Sequence, residues 1–105
     1  MPTYKMVVFT NPRDHRDDEF NQWYDERHLS DLLSLPGMKT AERYKVVLGE
    51  GWRYLAIYDV ETDDLDGLMT EMYRRVDDGE IFMSPAFDEH YNLFAATSLG
   101  PMRTA

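Results

Sequence analysis

The apolar positions of this chain follow two periods in turn, one suited to strands and one to helices. "YKMVVFT" at 4–10 is branched and aromatic and stops at "NP", a turn signal, which predicts a first strand. "DHRDDEFNQWYDERHL" then switches to helical spacing. Asp14 or a neighbour is its expected cap, and the acids of its first turn suit the helix dipole. "LPG" at 35–37 ends it, because Pro36 disfavours helical geometry at Leu35 and Gly37 punctuates the chain. "MKTAERYKVVL" (38–48) and "WRYLAIYDV" (52–60) both alternate around a "GEG" turn, which predicts an antiparallel hairpin. "TDDLDGLMTEMYRRV" is the second helix, with Thr62 or Asp63 as cap and Leu65, Leu68, Met69 and Met72 at helical spacing. Beyond the "DDGE" break and Pro85, "FDEHYNLFAATSL" (87–99) predicts the last strand.

The order βαββαβ within 105 residues predicts one α+β domain, residues 1–105. Its expected form is ferredoxin-like: a four-stranded antiparallel sheet with two helices on one face, a one-sidedness that right-handed crossovers impose. The strands are apolar on both sides, however. Leu55 and Ile57 oppose Tyr54, Ala56 and Tyr58, while Val7 and Phe9 oppose Met6 and Val8. Two helices cover one face only, so the expectation is a homodimer in which two sheets pack together.

Composition narrows the function. Twenty acidic against eleven basic residues give a net charge of −9, which repels nucleic-acid phosphates and anionic lipid surfaces, so no nucleic acid and no membrane are expected as partners. There is no cysteine, and therefore no disulfide framework or thiolate metal site. The first strand's apolar run is too short for a signal segment or a membrane span, and a cytoplasmic location is expected.

Candidate chemistry gathers on the first helix. On a regular helical wheel Phe20, Trp23, Tyr24, Arg27 and His28 share one arc that must meet the sheet, and Tyr24 and His28, four apart, are neighbours on it. Continuing the helix brings Asp31 into the same arc, where an unpaired carboxylate is costly. Either the helix bends near Ser30 or Asp31 has a partner, and His28 is the nearest one.

The stretches "VVFTNP", "DDEFNQWYDERHL", "LPGM" followed by "AERY", and "YLAIYDVET" resemble the dimeric α/β-barrel superfamily, close to its EthD-like branch, from about Tyr4 to Asp64. The resemblance implies a ferredoxin-like protomer that dimerises through its sheet, with a pocket between helices and sheet. Members include cofactor-independent cyclases, isomerases and lyases of small oxygenated ring compounds, alongside monooxygenases and haem-degrading enzymes. It places Tyr24 and His28 at the site and Trp23 in the pocket wall. Relatives tend to carry glycine at the position of His15 and proline at that of Ser30, so the loop before the helix and the helix's second half depart from the pattern.

Chemically, His28 oriented by Asp31 or Asp25 would exchange protons near neutrality, Tyr24 would polarise a carbonyl or phenol, and Trp23 and Phe20 would stack on a ring. Tyr54 and Tyr58 on the sheet and His90 on the last strand complete the expected binding set. His90 and Tyr91 alternate, so only one of them faces the helix side. The expectation is a lyase, isomerase or cyclase of a small oxygenated ring, polyketide or aromatic-catabolism metabolite, with no cofactor and no metal. No histidine pair has helical metal-ligand spacing, and neither a phosphate loop nor a nucleophile elbow is present. Two alternatives stand beside it. One is a haem-dependent or oxygen-using enzyme of the same fold, with His28 or His90 as axial ligand; the other is a non-catalytic binder or accessory subunit whose aromatic arc is simply core.

Overall fold

The computed structural model describes residues 1–105. Four strands, β1 (Thr3–Thr10), β2 (Met38–Lys45), β3 (Tyr54–Glu61) and β4 (Asn92–Ala96), form one sheet in the order β2-β3-β1-β4, with every neighbouring pair antiparallel. Between β1 and β2 lie α1 (Asp17–Trp23), a π-helical turn (Tyr24–His28) and α2 (Leu29–Leu33), which follow one another as a continuous rod; α3 (Leu65–Asp77) links β3 to β4. Counting the rod as one helix, this is the expected ferredoxin-like arrangement.

Alternation sorts the two central strands. Met6, Val8 and Thr10 of β1 and Ala56, Tyr58 and Val60 of β3 are buried against the helices. The register sets Met6 beside Tyr58 and Val8 beside Ala56. The opposite face carries Val7, Phe9, Leu55, Ile57 and Phe94 in adjoining rows, and Phe94 is 55% exposed. A single chain leaves that apolar face uncovered.

Several boundaries differ from expectation, each for a local reason. The rod starts after Arg16, not at Asp14, which with His15 takes positive φ (51° and 59°) in a tight turn and caps nothing. The cap of α3 is Asp64, whose carboxylate accepts the Gly67 N–H at 2.9 Å, while the hydroxyl of Thr62 accepts the Asp64 N–H at 3.0 Å one step earlier. A Cβ on Gly67 would lie 2.2 Å from the Asp64 carboxylate, so glycine keeps that cap open. β4 is much shorter than 87–99, because Asp88 folds back to accept the N–H of His90 at 3.0 Å, a side-chain turn that competes with strand pairing.

The rod stops at Leu33, just before the expected break at Leu35–Gly37; Gly37 follows in the turn at φ +93°, and its carbonyl accepts the Glu61 N–H at 2.8 Å. A Cβ there would meet the Glu61 carbonyl oxygen at 2.8 Å, and backbone cannot step aside as a side chain can. Gly37→Ala is therefore expected to lower unfolding free energy by about 1–3 kcal/mol, measured as a shifted urea midpoint at unchanged slope. Placing a charge at Ile57, in the middle of the uncovered face, predicts that Ile57→Glu sediments as a monomer where the parent chain sediments as a dimer at micromolar concentration.

Candidate active site

The site is built on the irregular turn of the rod. At Tyr24–His28 the backbone widens so that the Leu29 N–H reaches the Tyr24 carbonyl, an i→i+5 bond. In a regular α-helix residues five apart diverge by about 140°. Here Trp23 and His28, five apart, lie ring on ring, with centroids 4.5 Å apart and planes at 30°. Tyr24 meets the imidazole edge-on at 4.8 Å and also touches Trp23, at 5.2 Å, so the three rings form a mutual cluster. The same widening turns Arg27 to the surface, against the regular-wheel expectation that put it on the buried arc.

His28 is 6% exposed, and its Nδ1 is sealed from solvent without a hydrogen-bond partner. Neither expected carboxylate orients it. Asp31 pairs with Arg27 at 3.3 Å and accepts the Phe82 N–H at 3.4 Å, and Asp25 pairs with Arg43 at 2.9 Å. Burial dominates the imidazole's titration, drawing its pKa from an ordinary 6.5 down to about 4, with Asp31 pulling weakly upward and Arg43 downward. The ring is neutral at pH 7.

Tyr24 is 2% exposed and its hydroxyl lies 3.4 Å from that of Tyr58. Burial raises the Tyr24 pKa, against the Tyr58 hydroxyl and Arg43, which lower it. Arg43 stacks its guanidinium 4.4 Å from the Tyr24 ring, held by Asn21 Oδ1 at 2.7 Å and by Asp25. Nothing in the sequence pattern singled out Arg43, since its partners come from another element.

A cavity of about 410 Å³ opens beside these groups between rod, α3 and sheet. Tyr24 and His28 both line it. Phe20, Trp23, Tyr54 and Tyr58 do not; they pack behind the wall. Phe20 contacts Trp23, Tyr24 and Tyr54, Trp23 donates its indole N–H to the Phe82 carbonyl at 3.0 Å, and the Tyr54 hydroxyl donates to Asp17 at 2.9 Å. Asp31 stays outside the lining in its pairing with Arg27. His90 is outside as well, stacked on Trp52 at 5.2 Å on the far side of its strand segment, and Tyr91 is the member of that alternating pair that lines the cavity.

Two further polar residues of the lining went unremarked in the sequence. Glu89 supplies a carboxylate, and the Tyr73 hydroxyl lies 3.3 Å from that of Tyr91. That hydrogen bond, with burial, pushes the Tyr91 hydroxyl up to about 12. Helical spacing from Met69 places Tyr73 one turn on, a signal that was present but unread. No three His, Asp or Glu side chains cluster as metal ligands would.

No protein-family profile and no curated protein matches the chain. Solved structures do. An EthD family protein from Bacillus halodurans superposes with a TM-score of 0.62 at 14% identity, covering 94% of this chain and 100% of that one. A dimeric ferredoxin-like protein from Thermobifida fusca gives 0.62 at 12%, covering 92% of each. The haem-degrader MhuD of Mycobacterium tuberculosis, with two haems in its active site, gives 0.68 at 15%, covering 97% and 100%. Proteins described as monooxygenases are also among the matches. At such identities the likeness establishes the ferredoxin-like fold, shared with EthD and dimeric members. Chemistry is a separate matter. No helix is long and apolar enough to cross a membrane.

The neutral imidazole has a measurable consequence. A histidine whose folded pKa lies below its unfolded value binds fewer protons folded than unfolded, so its stabilising effect is present above pH 6.5 and is lost as pH falls toward 4. Urea titrations across that window should show wild type losing up to about 3 kcal/mol more stability than His28→Gln.

Proposed function

We propose that the cavity binds a small oxygenated ring compound and that the chain performs proton-transfer chemistry on it as a lyase, isomerase or cyclase, with His28 as general base and Tyr24 as hydrogen-bond donor. The observation that carries this reading is a buried histidine, His28, with an unpartnered Nδ1, in the lining of a mainly apolar cavity. A buried polar atom without a partner is destabilising, and in a native structure it points to a use outside folding. The widened turn that holds it there is itself a feature common at functional sites.

The roles follow from protonation. A neutral imidazole can accept a proton from a carbon beside a carbonyl, and the imidazolium so formed is stabilised by the negative charge arriving on the substrate oxygen and by Asp31 nearby. The Tyr24 hydroxyl, protonated at neutral pH, can donate to that oxygen in a pocket where water competes poorly. Trp23 and Phe20 act by holding the two rings in place, and Arg43 backs the phenol with positive charge. The proposed unit is a homodimer, built on the uncovered sheet face.

Haem fits this lining poorly. No lysine or arginine lines the cavity to meet propionates, Glu89 opposes them, and the His28 ring is packed against both Trp23 and Tyr24. An oxygen-using reaction on the same bound ring is the second reading, favoured by the mainly apolar lining and by the fold neighbours described as monooxygenases. Oxygen uptake coupled to turnover would select it over proton transfer alone.

His28→Phe is the decisive variant. It removes the orphan nitrogen while keeping a ring packed on Trp23 and Tyr24, so it should fold with equal or greater stability, by up to about 1 kcal/mol. Turnover should fall by about 10²–10⁴-fold. Loss of folding would instead make His28 a structural residue, and ligand binding without turnover in wild type would leave a binding protein. In wild type kcat/KM should be flat through neutrality and fall toward pH 4, where the base becomes protonated.

A further inference from the structure

The cavity has two polar ends of different character. The inner end is made by His28 and the Tyr24 hydroxyl, both nearly sealed. The outer end is made by Glu89, which is exposed, and by the Tyr73–Tyr91 hydroxyl pair, with Tyr73 44% exposed. Val8, Met72, Val76, Met83 and Leu93 belong to the apolar part of the lining.

Local structure sets this outer end. The Asp88 side-chain turn bends the chain at Glu89 just before β4, and in that bend Glu89 and Tyr91 line the cavity while His90 stacks on Trp52 outside it. The tyrosine pair spans from α3 to this segment, so helix and loop are joined at the mouth beside a carboxylate. No cation lines the cavity, although the chain has eleven lysines and arginines. A carboxylate ligand would thus face Glu89 at one end or lose its hydration among neutral groups at the other.

We infer that Glu89 is a specificity-determining residue: with the Tyr73–Tyr91 pair it selects uncharged ring compounds that carry a hydroxyl at the outer end, and it rejects the corresponding carboxylates. The ligand hydroxyl donates to the Glu89 carboxylate, and an oxygen at the ligand's other end reaches Tyr24 and His28. The inference rests on the proposed ring-binding function for the ligand's orientation, and it adds the charge class of the substrate.

Calorimetric titration with 2,6-dihydroxynaphthalene and 6-hydroxy-2-naphthoate tests it, because the two probes share one ring system and differ in a single substituent. Wild type should prefer the diol by about tenfold or more at low salt, and rising salt should narrow that ratio because an exposed carboxylate is screened. In Glu89→Gln, an exposed substitution, the ratio should fall to within about threefold, mainly by admission of the naphthoate. A wild type that binds both equally, prefers the naphthoate, or is saturated by neither overturns the inference, as does a preference that persists in Glu89→Gln. His28→Phe separates the two proposals. If it leaves turnover intact while Glu89→Gln erases the preference, the catalytic reading fails and the charge selection stands. Lost turnover in His28→Phe with an unaltered preference in Glu89→Gln sinks the selection alone.

Discussion

The hydrogen bond from the Leu29 N–H to the Tyr24 carbonyl is the constraint from which the site's geometry descends. Widening one turn of the rod brings Trp23 against His28, which a regular helix would hold about 140° apart, while Tyr24 keeps the neighbouring place that four-residue spacing gives it. It also moves Arg27 out of the sheet-facing arc, where it pairs with Asp31 and lies 5.1 Å from the Phe82 ring. One shifted backbone bond therefore both assembles the aromatic wall around His28 and removes its expected carboxylate partner.

Electrostatics around the site are arranged by exclusion. The two acids expected to orient His28 are engaged elsewhere, Asp31 with Arg27 and Asp25 with Arg43, so burial governs the imidazole and keeps it neutral. Arg43 sits behind the Tyr24 ring, reached from β2, and its hydrogen bonds to Asn21 and Asp25 tie that strand to the rod. The result is a phenol and an imidazole that are uncharged, closely packed and buried, in a wall that is mainly apolar. Such an environment magnifies whatever charge a bound molecule develops.

The sheet divides the molecule's work between its faces. Its inner face carries Met6, Val8, Ala56 and Tyr58, whose contacts hold the rod and whose neighbours leave the cavity open beneath α3. Its outer face, with Val7, Phe9, Leu55 and Ile57, is a second apolar layer that the chain's own helices cannot reach. Surface ion pairs such as Lys5 with Asp59 border that layer and add little stability of their own.

The element order, the inner and outer strand faces, and the break in the chain at Leu35–Gly37 were all legible in the sequence. Each depends on the period of apolar residues or on one residue's backbone limits, and both are local properties. The placement of Tyr24 and His28 side by side was legible for the same reason, since four-residue spacing makes neighbours on any helix. What only the tertiary structure decided was non-local. Trp23 lies against His28 because the backbone left the α-helical register, and no residue pattern announces that departure. Phe20, Tyr54 and Tyr58 were expected in the pocket, yet they fill space behind it, because aromatic residues on a buried face look alike in sequence whether they line a cavity or close one. Glu89, Tyr73 and Arg43 acquired their places from pairings across elements, and a charge or hydroxyl carries no mark in the sequence of the partner that folding will bring to it.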